Sequence, residues 1–143
     1  FRGYYGKPEE TASVFVDDWF RTGDIVTIDE AGLVRIVDRI KELIITGGFN
    51  VAPTEVESVL RQHPSVTDVA VVGLPDEHSG EQVVAAVVAS DPDTFDAEAV
   101  RAFARGILTP YKVPKRLVVV EELPRSLIGK VLRRQVRDQL LSD

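Results

Sequence analysis

The lysine at position 130 is the leading candidate for chemistry in this sequence, because packing does not explain its position. It ends the loop LPRSLIGK and precedes Leu132, Val136 and Leu140, whose spacing predicts a helix from Lys130 onward. A helix N-terminus carries partial positive charge, so a cation there is disfavoured unless it has another partner. A solvated surface lysine is the simpler interpretation of Lys130 taken alone, and the rest of the sequence must show whether a partner exists.

Two other short motifs have residue types that could bind a ligand. Asp24, in the stretch FRTGD, has two carboxylate oxygens that could accept both hydroxyls of a vicinal diol, although an Asx-turn is the simpler interpretation. Gly47 and Gly48 could let a ligand approach the backbone closely, or could form a tight turn. Neither motif is a P-loop, because the pattern GxxxxGK[ST] is absent from the sequence.

The remaining histidines and charges favour neither a metal site nor a nucleic-acid site. His63 and His78 lack metal-ligand spacing, so no metal is expected. Arg133, Arg134 and Arg137 form a basic stripe on the last predicted helix, most simply a solvated face and alternatively a phosphate contact. The net charge of −6, with dispersed acidic residues, argues against a general nucleic-acid binder.

Composition limits the kind of protein further. The 143 residues are 44% hydrophobic, which is enough for one core. The absence of cysteine excludes a disulfide framework and a four-cysteine zinc site. No apolar run approaches the roughly 20 residues of a membrane-spanning helix. The chain opens with Phe1 and no processing signal, so we expect it to be part of a longer protein.

Periodicity and turn signals predict the elements that would position these residues. Residues 25–37 read as a hairpin with Gly32 in its turn, residues 43–45 as a strand, and NVAPTEVESVLRQHP (50–64) as a helix with Pro53 in its first turn. Further strands are predicted over 66–74, 81–89 and 116–123. Asp96 is the predicted N-cap of a helix over 97–108, whose apolar face comprises Val100, Phe103 and Ile107.

This order of elements predicts an α+β fold. A mixed or antiparallel sheet flanked by helices would follow an N-terminal β-hairpin. The boundary is expected just before Arg39, where the hairpin gives way to a charged stretch without periodicity. The predicted regions are therefore 1–38 and 39–143.

Together, and in this order, the motifs resemble one family. The runs that carry the resemblance are GYYGKPEETASVFVDDWFRTGDI, DRIKELIITGGFNVAPTEVESVL, HPSVTDVAVVGLPDEHSGE, LTPYKVPK and LPRSLIGKVLRR. They are similar to the C-terminal part of the adenylate-forming acyl-CoA synthetases, the AMP-binding enzymes, over essentially the whole chain. Residues 48–51 and 124–130 are most similar to the long-chain fatty-acid-CoA ligases. Phe20, Asp18 and Ile128 depart from the common pattern, which leaves the acyl preference open.

The resemblance implies a cytoplasmic acid–thiol ligase, with peripheral contact to the inner membrane face as a further expectation. It would use ATP and Mg²⁺ to convert a fatty acid to an acyl-adenylate, and then pass the acyl group to coenzyme A. Residues 1–38 would be the remnant of a large N-terminal AMP-binding domain, and 39–143 the C-terminal lid domain. The resemblance assigns seven residues: Lys130 to catalysis, Asp24 and Arg39 to the nucleotide, Lys41 to the hinge, and Gly47, Gly48 and Phe49 to the coenzyme A channel.

In the family, the phosphate loop, adenine pocket and acyl pocket belong to the N-terminal domain. We therefore expect the isolated chain to be inactive and to hold no cofactor. Two alternatives remain open. One is an adenylation enzyme with another acyl acid or a carrier-protein thiol, and the other is a free-standing interaction module that uses the stripe around Arg133 to bind an acidic partner.

Overall fold

The first part of the chain is built from short antiparallel strand pairs. A computed structural model describes residues 1–142 of the chain. The chain divides into two units, Phe1–Lys41 and Glu42–Asp143. The first unit contains α1 (Pro8–Ser13), β1 (Phe15–Val16), β2 (Trp19–Phe20), β3 (Asp24–Ile28) and β4 (Val34–Arg39). β1 pairs with β2, and β3 pairs with β4. The 3-10 turn Ile40–Glu42 follows, at the division between the units.

The predicted hairpin in this unit is confirmed, and its turn is stabilised locally. Gly32 has a φ of +79°, which glycine adopts without steric cost. The Asp29 carboxylate accepts hydrogen bonds from the N–H groups of Ala31 and Leu33. β4 continues through Arg39, so the hairpin is longer than the sequence pattern indicated.

The second unit confirms the predicted α+β class. Its five-stranded sheet consists of β5 (Ile44–Thr46), β6 (Phe49–Val51), β7 (Val66–Asp76), β8 (Gly80–Ala89) and β9 (Arg116–Val119). All strand pairs are antiparallel except β8–β9, which is parallel. The helices of this unit are α2 (Pro53–Leu60), α3 (Ala97–Arg105) and α4 (Arg133–Ser142). The last residue of the predicted region 39–143 lies outside the described residues.

The two long strands have continuous apolar runs, over 69–74 in β7 and 83–89 in β8, because both of their faces are covered there. Val69 and Val71 of β7 pack in a cluster with residues of α2 and α3. Ala70 and Val72, which point the other way, pack in a second cluster with Val136 of α4. Burial on both faces replaces the alternating pattern of a half-exposed strand with a continuous apolar run.

The predicted helix over 50–64 is too long at its N-terminal end. Phe49–Val51 forms β6, which pairs with β5 across a two-residue turn. Gly47 and Gly48 have φ of +57° and +83°, the geometry of a type I′ hairpin turn. The helix begins at Pro53. Proline suits the first turn because the N–H that it lacks would have had no hydrogen-bond partner within the helix.

The third helix confirms one prediction and corrects another. Asp96 caps it, because its carboxylate accepts from the N–H groups of Glu98 and Ala99. Ile107 does not belong to the apolar face, since the helix ends at Arg105 and the Ile107 side chain is exposed. Leu108 is buried in its place. Among residues 1–142, no helix has both the length and the apolar character to cross a bilayer.

Candidate functional site

Lys130 ends a tight loop and does not lie at the helix N-terminus that the sequence predicted. α4 begins three residues later, at Arg133, after a β-bridge between Arg125 and Val131. Inside the loop, the Ser126 N–H donates to the Lys130 carbonyl at 2.8 Å, and the Lys130 N–H donates to the Ser126 hydroxyl at 3.2 Å. The prediction that Lys130 lies at the N-terminus of the last helix and opposes its dipole is therefore wrong. These hydrogen bonds hold the backbone of Lys130 in place, whereas the residue as a whole is exposed to solvent.

Basic residues on both sides of Lys130 are engaged within the second unit. Arg125 donates to the Gly129 carbonyl and pairs with the Asp68 carboxylate. In the described part of this unit, no carboxylate pairs with the Lys130 ammonium group. Lys130 is therefore the available cation of its loop.

The predicted basic stripe on α4 is mostly neutralised inside the unit. Arg133 donates to the Glu57 carboxylate at 2.8 and 3.0 Å and pairs with Glu42. Burial lowers the pKa of Arg133, but the hydrogen bonds and charges of Glu57 and Glu42 outweigh burial and raise the pKa above its ordinary value. Arg137 lies 3.4 Å from the Glu81 carboxylate with its side chain 43% exposed, and Arg134 is exposed. A solvated stripe or a phosphate contact is therefore the wrong interpretation of Arg133.

Asp24 and Arg39, which the sequence assigned to one nucleotide site, are brought together. They lie opposite each other in the β3–β4 pair, with 2.9 Å between Arg39 Nε and Asp24 Oδ1. The Asp24 carboxylate accepts no backbone N–H within residues 1–41, so the Asx-turn interpretation is wrong. Its other oxygen, Oδ2, has no donor in that unit. A largely buried carboxylate oriented by an arginine can accept hydroxyl donors with its second oxygen.

Lys41, the predicted hinge, is exposed in the turn Ile40–Glu42. It is the last residue of the first unit, so the chain passes from one unit to the next directly after it. That position suits a residue whose backbone torsion reorients one unit.

Gly47, Gly48 and Phe49 lie together on the β5–β6 hairpin. A Cβ on either glycine would meet no atom within 4 Å, so their positive φ, rather than crowding in the described chain, requires glycine there. Phe49 stacks on Tyr111, with ring centroids 4.5 Å apart. The hairpin tip is thus a bare glycine turn beside an aromatic pair.

A cluster that sequence reasoning missed supports this glycine turn. The Asp76 carboxylate accepts from the Ser79 hydroxyl at 2.7 Å and from the Ser79 N–H at 2.9 Å, while Lys115 Nζ lies 3.3 Å away. The Ser79 hydrogen bonds are the main cause that holds the pKa of Asp76 well below its usual range. The Ser79 carbonyl in turn accepts the Gly47 N–H at 2.8 Å. The DxxS pattern of an Asx-type turn was the available signal.

No group of His, Cys, Asp or Glu within residues 1–142 is arranged to hold a metal ion. This leaves two groups of candidate residues in the second unit, the Lys130 loop and the glycine turn, and one in the first, the Asp24–Arg39 pair.

Comparison with known proteins identifies the class to which this fold and these motifs belong. The family described as the AMP-binding enzyme C-terminal domain matches residues 55–130. The chain therefore belongs to that family, and the resemblance inferred from its motifs is confirmed.

The relatives are more specific. The chain is 49% identical over 137 residues to a long-chain-fatty-acid–CoA ligase of Salmonella typhimurium, covering 96% of this chain and 24% of the relative. A protein of the same name from Bacillus subtilis is 46% identical over 138 residues, covering 96% and 25%. The chain thus spans about a quarter of the length of these relatives.

Solved structures agree with this assignment. ATP-bound MatB from Rhodopseudomonas palustris is 44% identical, with a TM-score of 0.91, and the match covers 97% of this chain and 28% of that one. Apo MatB, at the same identity and coverage, has a TM-score of 0.72.

Proposed function

We propose that this chain is the mobile C-terminal domain of an ATP-dependent long-chain fatty-acid-CoA ligase, with residues 1–38 as the remnant of its large N-terminal domain. The relatives named as such ligases support the activity. The observation that carries the proposal is the available Lys130 ammonium group on a loop whose backbone and flanking arginines are held in place.

Lys130 would act in the first half-reaction. A fatty-acid carboxylate oxygen forms a bond to the α-phosphorus of ATP, and the bond between that phosphorus and pyrophosphate breaks. Negative charge grows on oxygens at the reaction centre, where a compact ammonium group stabilises the transition state. Mg²⁺ bound with ATP would neutralise charge on the departing pyrophosphate.

Asp24 and Arg39 would bind the nucleotide ribose. The Asp24 oxygen that Arg39 leaves unbonded can accept a ribose hydroxyl, and the guanidinium keeps the carboxylate in place. This contact recognises the ribose and leaves the phosphates and the adenine to the N-terminal domain of the longer protein.

Lys41, Gly47, Gly48 and Phe49 would serve the second half-reaction. Rotation at Lys41 would turn the domain so that the glycine turn lines the path of the coenzyme A thiol. The thiol sulfur then forms a bond to the acyl carbonyl carbon as the thiol proton is released, and the bond from that carbon to the phosphate oxygen of AMP breaks. Lys41 lies at the end of the first unit, and this position supports a hinge there.

Two variants of the full-length enzyme separate these roles. Lys130→Ala should slow acyl-adenylate formation by about two to three orders of magnitude, the scale for losing one preorganised electrostatic contact. Thioester formation from supplied acyl-adenylate should be retained. Lys41→Pro should show the reverse, because proline fixes φ and restricts the rotation.

The measurements are pyrophosphate release and, separately, coenzyme A acylation from preformed acyl-adenylate. Lys7→Ala controls for loss of an exposed lysine, and Lys41→Ala removes the hinge side chain while leaving the backbone free to rotate. Equal losses in both steps for Lys130→Ala and Lys41→Pro would overturn the assignment of the two residues to different steps.

The choice of acid and thiol acceptor forms the finer part of the proposal. A panel of short, aromatic and long-chain acids, with coenzyme A or a carrier-protein phosphopantetheine as acceptor, would decide it on the full-length enzyme. Cell fractionation would test the cytoplasmic location and peripheral membrane contact that we also propose. The interaction-module alternative loses its main support, because Glu57 and Glu42 already engage Arg133.

A further inference from the structure

We propose that Arg125 and Asp68 form a positioning pair that fixes the carbonyl directly before Lys130 and so sets the direction from which the lysine reaches its substrate. The inference rests on the proposed role of Lys130 in adenylation. It assigns a function to two residues that the resemblance leaves without one.

The geometry of Arg125 carries the inference. Its Nη1 donates to the Gly129 carbonyl at 2.5 Å, while its Nη2 pairs with Asp68 Oδ2. Asp68 lies near the start of β7, which pairs with β8, and its carboxylate also accepts the Val69 N–H at 2.9 Å, so it can serve as an anchor. The planar guanidinium thus ties the peptide group before Lys130 to the sheet, which a lysine with its single ammonium group does less well.

The other flank of the loop is anchored in a similar way. Leu132 donates its N–H to the Pro124 carbonyl at 2.8 Å, and Arg133 next to it binds Glu57 of α2. Glu57 is buried, and its carboxylate also accepts the Val71 N–H of β7 at 2.9 Å. Both ends of the Lys130 loop are therefore held on the sheet and its neighbouring helix.

The anchors of the two flanks belong to one series of charges. Arg61 lies between them, with its Nη2 3.6 Å from Asp68 Oδ1 and 3.7 Å from Glu57 Oε2. Arg61 also donates to the Val69 carbonyl at 2.9 Å. Cations and carboxylates alternate from the Gly129 carbonyl to Glu42, the residue directly after the proposed hinge.

Stability alone does not account for the Arg125 contacts. Its side chain is 45% exposed, and an ion pair of that exposure contributes little to folding because water screens it. A displacement of about 1 Å in a reacting group, in contrast, can slow a reaction about 100-fold. The same contacts therefore matter far more for the placement of Lys130 than for the fold.

The test uses the full-length enzyme with Arg125→Gln and Asp68→Asn, and Arg134→Gln as the matched control. Arg134 is an exposed arginine close by in sequence, on α4. We expect Arg125→Gln to lower kcat for acyl-adenylate formation by about 10- to 100-fold, with little change in KM. Thioester formation from supplied acyl-adenylate and the unfolding temperature should stay close to those of the parent and of Arg134→Gln.

Two further variants test the coupling. Arg125→Gln should cost less in the Asp68→Asn background than it does alone, because both changes remove the Arg125–Asp68 pair that holds the guanidinium against the Gly129 carbonyl. Arg125→Lys should restore the activity only in part, since one ammonium group cannot reproduce both hydrogen bonds of the guanidinium. Independent, multiplying losses in the double variant would overturn the inference.

The outcomes also separate this inference from the proposed function. Normal adenylation by Arg125→Gln, beside slow adenylation by Lys130→Ala, would overturn the positioning role alone. Equal losses in both half-reactions with a lowered unfolding temperature would also overturn it, because they indicate a purely structural role. Normal adenylation by Lys130→Ala would overturn the proposed function and this inference together.

Discussion

Replacing Arg133 with methionine should destabilise the second unit strongly, because it leaves a buried carboxylate without its main partner. The Glu57 side chain is only 6% exposed, and Arg133 donates three hydrogen bonds to it, at 2.8 to 3.1 Å. After the substitution, the Val71 N–H and the more distant Arg61 would be its remaining partners. Breaking one side of a buried ion pair costs about 3–5 kcal/mol.

The lower end of that range is the better expectation here, since the Arg133 side chain is 23% exposed and water screens part of the interaction. We therefore expect Arg133→Met to lower the free energy of unfolding by about 3 kcal/mol. The measurement is urea unfolding of the 143-residue chain followed by circular dichroism. Arg134→Met, on the exposed side of the same helix, should change it by about 0.5 kcal/mol or less.

A double variant tests the reason for the loss. In Arg133→Met/Glu57→Gln, the neutral amide can still accept the Val71 N–H, and no unpaired charge remains buried. Most of the lost stability should return. If the double variant is as unstable as Arg133→Met, or if Arg133→Met is no worse than Arg134→Met, the buried Glu57 charge does not govern the effect.

Three further predictions concern the other candidate residues. The isolated chain should bind ATP weakly or undetectably, because Asp24 and Arg39 offer only ribose contacts; micromolar affinity by calorimetry would contradict this. Ser79→Ala should raise the pKa of Asp76 towards its ordinary value of 3.8, which NMR titration would show. The pKa of Asp76 is depressed in the folded protein, so the ionised carboxylate stabilises the fold above pH 3.8, and this stabilisation is lost as the pH falls through the pKa of the folded state. The Ser79→Ala variant should therefore lose less stability than the parent on acidification. Gly48→Ala should lower the free energy of unfolding by about 1–2 kcal/mol, because alanine is strained at a positive φ, and Gly48→Asn should lower it less. If both variants slow thioester formation equally, any side chain obstructs the thiol. If the slower reaction follows the loss of stability, backbone strain is the cause.

The sequence predicts the larger elements of the fold and misses the short ones. The long strands are visible because burial on both faces leaves unbroken runs of valine and alanine in β7 and β8. β6 is only three residues long and includes Asn50, so its own residues carry little strand signal. The Gly47–Gly48 pair was the available clue, since two adjacent residues with positive φ are typical of a hairpin turn.

The start of α4 shows a similar limit. The spacing of Leu132, Val136 and Leu140 identifies the buried face of a helix, but it does not fix the first helical residue. Ser126 hydrogen-bonds both the N–H and the carbonyl of Lys130, and these bonds replace the helical ones at that position. Local competition of this kind between side chain and backbone is a common reason for misplaced helix ends.

The candidate residues could be selected by type, but their partners could not. Asp24 and Arg39 lie on adjacent strands of one hairpin, so their pairing follows from strand register. Arg125 and Asp68 are 57 residues apart, and Arg133 is 91 residues from Glu42. Such pairs depend on how β7, α2 and the Lys130 loop pack, which periodicity along the chain does not encode.

The types of basic residue in and beside the loop suit two different tasks. Arginine suits the fixing of the loop backbone, and lysine suits contact with a partner outside the unit. Arg125 uses its forked guanidinium group to bind two partners and Arg133 to bind three, which suits a cation that must fix a backbone in place. Lys130 lies between them with its ammonium group available, and a long flexible stem suits a cation that must reach a partner outside its own unit. An internal carboxylate close to Lys130 would have competed with that partner. Under the proposed function, a unit that turns at Lys41 with its loop unchanged would carry the lysine into and out of the reaction centre without refolding the loop in each cycle.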